Sequence, residues 1–371
     1  MKIAIIHEWL DTWAGSEQVL AQMLEIFPEA DLFALVDFLD APQRTLLHGR
    51  RARTSFLQRL PFARRHFRKY LPLMPLAVEQ FDLRGYDLII SNSHAVAKGV
   101  ITGPEQLHLC YCYSPPRYAW DMQALYLGPG AWFRKYLLHR FRLWDVAAGQ
   151  RPDAYMAISA HIAQRIAKCY RRESRVLYPP LDTAWFTPGG TRAAHYFTHS
   201  RLVAYKRLDL LVEAFRALPE RELRIAGSGP ERPRLARLAP PNVHFLGQLD
   251  DHALREELRA ARAFLFAAEE DFGLAPLEAQ ACGTPVIAYG RGGVWETLGG
   301  RPGCAFFAEQ TPHAVTTAVR DFEAGATAPE ASTCRANALR FSRDVFRDAF
   351  GAAVEASWHD WQLRIPSGAR T

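Results

Sequence analysis

Short apolar runs alternate along this chain with longer segments whose apolar residues recur every three or four positions, and the alternation is run through twice. Lys2-Ile-Ala-Ile-Ile6 predicts a short buried strand. Residues 17–27 predict an amphipathic helix with Val19, Leu20, Met23 and Leu24 on one side, and the loop between holds Ala14-Gly15-Ser16. Strand, small-residue loop, helix is the opening of a doubly wound α/β unit. Further strands are expected at 31–35, 87–91, 108–113 and 154–158, with helices that include 132–151 and 161–170. The alternation pauses from Tyr178-Pro179-Pro180-Leu181-Asp182 through Pro188-Gly189-Gly190, where turn-forming residues cluster. It then resumes. Strands are expected at 196–200, 223–226, 243–246, 263–266, 285–288 and 305–307, and helices at 208–216, 231–238, 250–261, 276–282 and 312–322. The pattern predicts two successive doubly wound sheets, in domains 1–185 and 186–345, followed by a helix over 345–361 and a frayed tail over 366–371.

Composition agrees with two cores: 371 residues, 49% of them hydrophobic and 23% charged, which argues against a disordered or fibrous chain. No apolar run approaches the ~18 residues of a spanning helix. The first run is followed at once by His7, Glu8 and Asp11, unlike a signal peptide, so export by that route is not expected. Cys110, Cys112, Cys169, Cys282, Cys304 and Cys334 lack zinc or disulfide-framework spacing and predict free thiols in a reduced, cytosolic compartment.

The net charge of +6 is unevenly spread. Between Asp40 and Glu79 there is no acidic residue but nine basic ones: Arg44, Arg50, Arg51, Arg53, Arg59, Arg64, Arg65, Arg68 and Lys69. Phe56, Leu57, Leu60, Phe62, Phe67, Tyr70 and Leu71 are interleaved with them. A smaller patch runs from Trp132-Phe133-Arg134-Lys135-Tyr136 through Arg140, Phe141, Arg142 and Trp144. Region 44–70 suggests peripheral contact with anionic lipid. A solvated basic face is the plainer reading, and no nucleic-acid fold motif accompanies the charge.

The most informative stretch for chemistry is Glu269-Glu270-Asp271-Phe272-Gly273-Leu274-Ala275-Pro276-Leu277-Glu278. It lies between a strand ending near Ala267 and a helix expected to open at Pro276, where a missing N–H costs nothing. Gly273 allows backbone to approach a ligand, and the first helical N–H groups point towards it. Glu278 is then expected in the first turn, at the sheet edge where ligands bind. The plainer reading of Glu278 is stabilisation of the helix dipole; it is weaker for Glu270, which shares a loop with Glu269. Arg201 and Lys206 follow strand 196–200, and a guanidinium fork with an ammonium suits a diphosphate, solvated charge being the alternative. Gly227-Ser228-Gly229-Pro230, after strand 223–226, is a third small-residue loop on that edge. The three together point to a phosphate-bearing ligand; none does alone.

The first half offers Gly15 in its opening loop and Ser91-Asn-Ser-His94, in which His94 is a candidate general base for a hydroxyl or simply a polar contact. Arg117 and Asp121 lie in Tyr113-Ser-Pro-Pro-Arg117-Tyr-Ala-Trp-Asp121, whose rigid prolines and large aromatics suit either sugar stacking or interdomain packing.

Over most of its length the chain resembles the retaining glycosyltransferases of family 4, which have the GT-B fold. The resemblance rests on Ser200-Arg201-Leu202 with Lys206-Arg207, on Gly227-Ser-Gly-Pro230, and on Glu270 and Glu278 separated by seven residues. Ala275-Pro-Leu-Glu-Ala279 and Cys282-Gly-Thr-Pro-Val-Ile287 complete it, with Ala14-Gly15-Ser16-Glu17 and Tyr118-Ala-Trp-Asp121 in the first half. That half looks most like O-antigen and exopolysaccharide mannosyltransferases. The resemblance implies two Rossmann-like domains facing across a cleft, the first on the acceptor side and the second binding a nucleotide sugar. A helix of about 345–365 would pack back on the first. Arg201 and Lys206 would bind the donor diphosphate beside the Gly227 and Gly229 loop. Glu270, with the backbone of Phe272, Gly273 and Leu274, would hold sugar hydroxyls; Glu278 would bind the ribose, and Gly15 would face the phosphates. Two departures stand out: Ala14 replaces the first of two glycines, and Tyr113 replaces a histidine, leaving His94 and Asp121 as acceptor-side candidates.

The implied reaction moves a sugar, with GDP-mannose as the expected donor, to a polyprenyl-linked or growing glycan acceptor with retention. Arg201, Lys206 and the helix N-terminus would stabilise the leaving diphosphate without a metal or other cofactor. The expected place is the cytoplasm, on the inner face of the membrane. A glycoside hydrolase would use two carboxylates but leaves Arg201 and Lys206 unexplained. A sugar-nucleotide epimerase, or a non-catalytic nucleotide-sugar or membrane-binding protein, stays open.

Overall fold

The computed structural model describes residues 1–127, 130–325 and 330–364, so the tail expected at 366–371 lies outside the described residues. The chain divides into two compact units: Met1–Pro180 with the chain from Asp344 onward, and Leu181–Arg343.

Unit 1 is built on a parallel sheet of β1 (Ile3–His7), β2 (Asp31–Ala34), β3 (Arg53–Thr54), β4 (Leu88–Ser93), β5 (Leu107–Cys112), β6 (Ala154–Ala157) and β7 (Arg175–Val176). Their order is β3-β2-β1-β4-β5-β6-β7. Ile5 in β1 pairs with Leu32 on one side and Ile90 on the other. β1, β4 and β5 are buried along their whole length, as strands covered on both faces must be. The apolar pattern misses β3 and β7. Each spans two residues, too few to show a period, and each exists through its pairing with β2 or β6.

The helix Gly15–Ile26 opens two residues before the expected start, with Glu17 Oε2 accepting from Ala14 N at 3.0 Å. The final helix, Arg343–Arg364, belongs from Asp344 onward to unit 1 although it follows unit 2 in sequence. Phe346 and Phe350 set their rings 5.9 and 6.0 Å from that of Tyr111, and Arg347 donates to Gln22 Oε1 at 3.1 Å.

Unit 2 carries β8 (Tyr196–His199), β9 (Leu223–Ala226), β10 (Val243–Gly247), β11 (Ala263–Phe266), β12 (Val286–Tyr289) and β13 (Cys304–Phe307), parallel in the order β10-β9-β8-β11-β12-β13. Leu211, Phe215, Leu265, Ile287 and Val315 are buried at the centre of its core. Full burial of side chains like these contributes roughly 1.5–3 kcal/mol each. The expected α/β class, two Rossmann-like doubly wound sheets, is what the structure has.

One helix boundary corrects the sequence reading. The helix expected to begin at Pro276 spans Leu274–Ala281, with Gly273 (φ +92°) as its N-cap, so Pro276 is its third residue and Glu278 lies in the second turn. None of the first four N–H groups of a helix has an intrahelical acceptor, so proline is tolerated at the third position as well as the first. Among the described residues, no helix is long and apolar enough to cross a membrane.

Candidate functional site

In unit 2 the strand order reverses between β8 and β11, with β9 and β10 on one side and β12 and β13 on the other. Loops leaving the C-terminal ends of strands at such a point diverge, and ligands of open α/β sheets bind there. The β8 loop carries Arg201 and Lys206, and the β11 loop carries Glu270. The Lys206 ammonium pairs with the Glu270 carboxylate; the two side chains are 15% and 18% exposed. The ammonium also lies 5.6 and 5.9 Å from the ring centres of Tyr205 and Phe266. Arg201 is exposed and, among the described residues, its side chain makes no hydrogen bond or ion pair. A paired, half-buried cation next to an open guanidinium is an arrangement an incoming polyanion can rearrange at low cost.

Glu278 Oε2 lies 3.1 Å from His199 Nε2, at the end of β8, so the second glutamate is also tied to the β8 loop. Sequence reasoning passed over His199 because a lone histidine at a strand end carries no motif.

The glycines of this edge have a structural job. A Cβ on Gly227 (φ +122°) would sit 1.9 Å from Ser200 O, and one on Gly229 2.3 Å from Leu202 O. Leu202 N donates to Ser228 O at 2.8 Å, and Glu231 N to Leu202 O at 3.0 Å. The Gly227–Gly229 loop thus clasps the backbone on either side of Arg201. The same device recurs after β12: Gly293 N donates to Glu270 O at 2.8 Å, and a Cβ on Gly292 would lie 2.6 Å from that oxygen. Arg291-Gly292-Gly293 escaped the sequence reading, although a glycine pair after strand 285–288 on the same edge was the available signal. Phe272 is buried against Phe341, with ring centres 5.5 Å apart, which places Gly273 and Leu274 at the head of their helix.

Unit 1 reverses between β1 and β4. Buried Glu8, just past β1, accepts from Ser93 Oγ and from the backbone N–H of His94, Ala95, Val96 and Ala97 at 2.7–3.0 Å. Burial opposes its ionisation, but the His94 ring and those donors outweigh it and hold the carboxyl below its usual range. Beside it, Asn92 Nδ2 donates to His7 Nδ1 at 3.1 Å, which leaves Nε2–H to donate to Glu17 Oε1 at 3.1 Å. Asn92 Nδ2 and the Tyr113 hydroxyl both donate to Ser16 O, at 3.2 and 3.3 Å, one residue past Gly15 in the helix's first turn. Tyr113, standing where the resembled family has a histidine, is therefore a donor here, and burial raises its pKa well above the usual value.

His94 rests edge-on against Trp9, ring centres 4.7 Å apart, with Tyr113 at 6.2 Å. Burial pushes its pKa down, and its Nδ1 is buried with no hydrogen-bond partner among the described residues. Asp121, by contrast, accepts two hydrogen bonds from the Arg165 guanidinium, one at 2.7 Å. Partial burial works to raise its pKa and Arg165 overcomes it, leaving the carboxyl below its usual range. Its loop is anchored at Trp120, whose Nε1 donates to Asp145 at 2.8 Å. Asp145 also accepts from Tyr170 at 2.9 Å and pairs with buried Lys98 at 2.6 Å. Neither Glu8 nor the Lys98–Asp145 pair was found by sequence; a lysine inside the apolar run Ala95–Val100 was the one hint.

No group of three or more His, Cys, Asp or Glu side chains placed to hold a metal ion occurs among the described residues. In unit 1 a pocket of about 430 Å³ opens within the basic region, lined in part by Asp37, Phe38, Arg44, Arg51 and Arg64.

The family model described as "Glycosyl transferases group 1" matches residues 194–323, which include the whole β8–β12 edge. A GDP-mannose-dependent monoacylated alpha-(1-6)-phosphatidylinositol monomannoside mannosyltransferase of Corynebacterium glutamicum is 34% identical over 40% of this chain and 48% of its own length. A D-inositol 3-phosphate glycosyltransferase of Mycolicibacterium gilvum is 32% identical over 38% of each chain. The chain thus spans less than half the length of these relatives. Among solved structures, a sucrose-phosphate synthase from Thermosynechococcus elongatus superposes with a TM-score of 0.75 at 19% identity, covering 97% of this chain and 100% of its own. Anabaena Alr3699/HepE in complex with UDP and glucose does so at 0.68 and 17%, covering 96% and 99%. At those identities the likeness is one of fold.

Proposed function

Because residues 194–323 form a domain of the glycosyl transferases group 1 family, we propose that this chain transfers a sugar from a nucleotide-diphosphate donor to a lipid-linked or growing glycan acceptor. The observation that carries the reading is the Lys206–Glu270 pair beside open Arg201 at the β8/β11 reversal. The two charges hold each other in the structure. A bound diphosphate draws Lys206 and Arg201 to its oxygens and frees Glu270 for the hydroxyls of the donor sugar. As the glycosidic bond breaks, negative charge grows on the leaving diphosphate, and the two cations stabilise it more in the transition state than before it. They supply the charge a metal would otherwise bring. The backbone of Phe272–Leu274 lines the sugar, and Glu278 beside His199 takes the ribose. Of the acceptor-side candidates, His94 is favoured over Asp121: its Nδ1 has no hydrogen-bond partner among the described residues, whereas Arg165 occupies the Asp121 carboxylate.

GDP-mannose is the proposed donor, supported by the GDP-mannose dependence of the Corynebacterium glutamicum relative. That relative's phosphatidylinositol-based acceptor also supports a lipid-linked acceptor, and with it peripheral attachment to the cytoplasmic face of a membrane. Region 44–70 adds to this. Arg51, Arg59, Arg64, Arg65 and Lys69 are exposed, whereas Arg44 is spent on Asp37.

Thermal stabilisation by a panel of nucleotides in EDTA tests the reading. Ligand at a hundred times its Kd adds about 2.7 kcal/mol to stability. GDP and GDP-mannose are expected to raise the melting temperature, and UDP and ADP to leave it unchanged. A shift with UDP alone discards the mannose donor; no shift with any nucleotide, or one that needs a divalent ion, discards the proposed site chemistry.

A further inference from the structure

The helix Trp132–Ala148 of unit 1 has an unusual outer face. Its inner face is ordinary: Leu138, Phe141 and Ala148 are buried, and Asp145 lies among them paired with Lys98. Opposite them, Trp132, Tyr136 and Leu143 fall within about 40° of one another around the axis, and they are 76%, 53% and 56% exposed. Phe133, 56% exposed, lies beside this stripe. Lys135 and His139 flank it on one side and Arg140 on the other, all exposed. Asp145 is the helix's only carboxylate, and it is buried, so no acidic side chain on the helix offsets the positive outer face.

Singly exposed apolar residues need no explanation. Three aromatics within five positions, set among cations on the solvent side of a helix whose other side is already packed, do need one. We propose that the outer face of Trp132–Leu143 inserts into the headgroup region of an anionic lipid bilayer. Trp132, Phe133 and Tyr136 enter the interface, and Lys135 and Arg140 reach lipid phosphates. Trp and Tyr rings suit that layer because one end is apolar and the other makes hydrogen bonds. Long cationic side chains lie along apolar surface while their heads stay with charge. A second segment of unit 1 has the same make-up. Phe62, at φ +57° and 77% exposed, sits among exposed Arg59, Arg64, Arg65 and Lys69, in a stretch that packs on the same core as the helix. Charge complementarity selects anionic lipid as the occupant. The inference deepens the membrane part of the proposed function and rests on it, naming the element that inserts.

The test is flotation of the full chain with vesicles of phosphatidylglycerol and phosphatidylcholine, against vesicles of phosphatidylcholine alone. The wild type is expected to float with the anionic vesicles only. Trp132→Ser/Phe133→Ser/Tyr136→Ser should lower the bound fraction about tenfold even at low salt, with its melting profile and its response to GDP unchanged. Arg59→Gln/Arg64→Gln/Arg65→Gln/Lys69→Gln should weaken binding mainly at low salt, where charge attraction is unscreened, and change it little at high salt. If the triple aromatic variant floats like the wild type while the four-cation variant does not, the inserting helix is wrong and the basic-region reading survives. Wild-type protein that responds to GDP but floats with neither vesicle overturns both membrane readings and leaves the donor reading intact.

Discussion

The two units share a sheet logic but close their ligand edge in different ways. In unit 1 the loops after β1 and β4 are stitched by side chains: Glu8 gathers five donors, and His7, Glu17 and Asn92 form a second buried set. In unit 2 the loops are stitched by backbone meeting backbone, which glycine makes possible at Gly227, Gly229, Gly292 and Gly293. The consequence is electrostatic. Unit 1 spends its carboxylates on holding its own loops, and unit 2 keeps Arg201, Lys206, Glu270 and Glu278 near the surface, where a ligand can exchange their partners. Satisfied buried polar groups make a scaffold; partly exposed charges on glycine-clasped loops make a binding edge.

Removing one member of a buried pair should expose this contrast most strongly. Lys98→Met leaves Asp145 charged, buried and short of a partner, and is expected to cost about 3–5 kcal/mol of stability. Lys98→Met/Asp145→Leu should recover much of that in urea unfolding; equal instability of the single and double variants would mean that packing, and not charge, dominates there. Lys206→Ala should do the reverse. Its pair is nearer to solvent than Lys98–Asp145, so stability falls by less than in Lys98→Met, while turnover falls by about a hundredfold or more. A stable variant with unchanged kinetics would erase the distinction between the units. The third effect is a pH dependence, small over the range of the test because only about one unit of it lies below the unfolded pKa. Burial, helped by Arg151, pushes His108 down to about 3, and its Nε2 shares a hydrogen bond with Ser91 Oγ at 2.9 Å. The unfolded chain takes up a proton near pH 6.5, so this contribution is complete above that value. It is lost as pH falls towards about 3, by up to ~1.4 kcal/mol per unit. His108→Gln should lose less stability than wild type between pH 7.5 and 5.5; identical slopes would exclude His108 as the source.

Much of the fold was legible in the chain. Each long strand announces itself as an apolar run, because a parallel strand is buried on both faces, and each long helix shows its period. The two-residue edge strands and the helix Gly293–Leu298 lack the length for that signal and depend on neighbours. The site was legible in part. Arg201, Lys206, Glu270 and Glu278 stand out as charges in loops after strands, and the structure brings the last three to the β8/β11 reversal, Lys206 paired with Glu270 and Glu278 3.1 Å from His199.

What the sequence determined by itself is local: the periods that make two doubly wound sheets, the glycines that let loops turn, and the charges that follow β8 and β11. Only tertiary structure decided which charges meet. Lys206 finds Glu270 because β8 and β11 are neighbours in space though far apart in the chain. Glu8 becomes an anchor because five donors converge on it, and the last helix joins unit 1 because Phe346 and Phe350 fit against Tyr111. Periodicity is a property of consecutive residues, whereas pairing and burial depend on distances that exist only once the chain has folded.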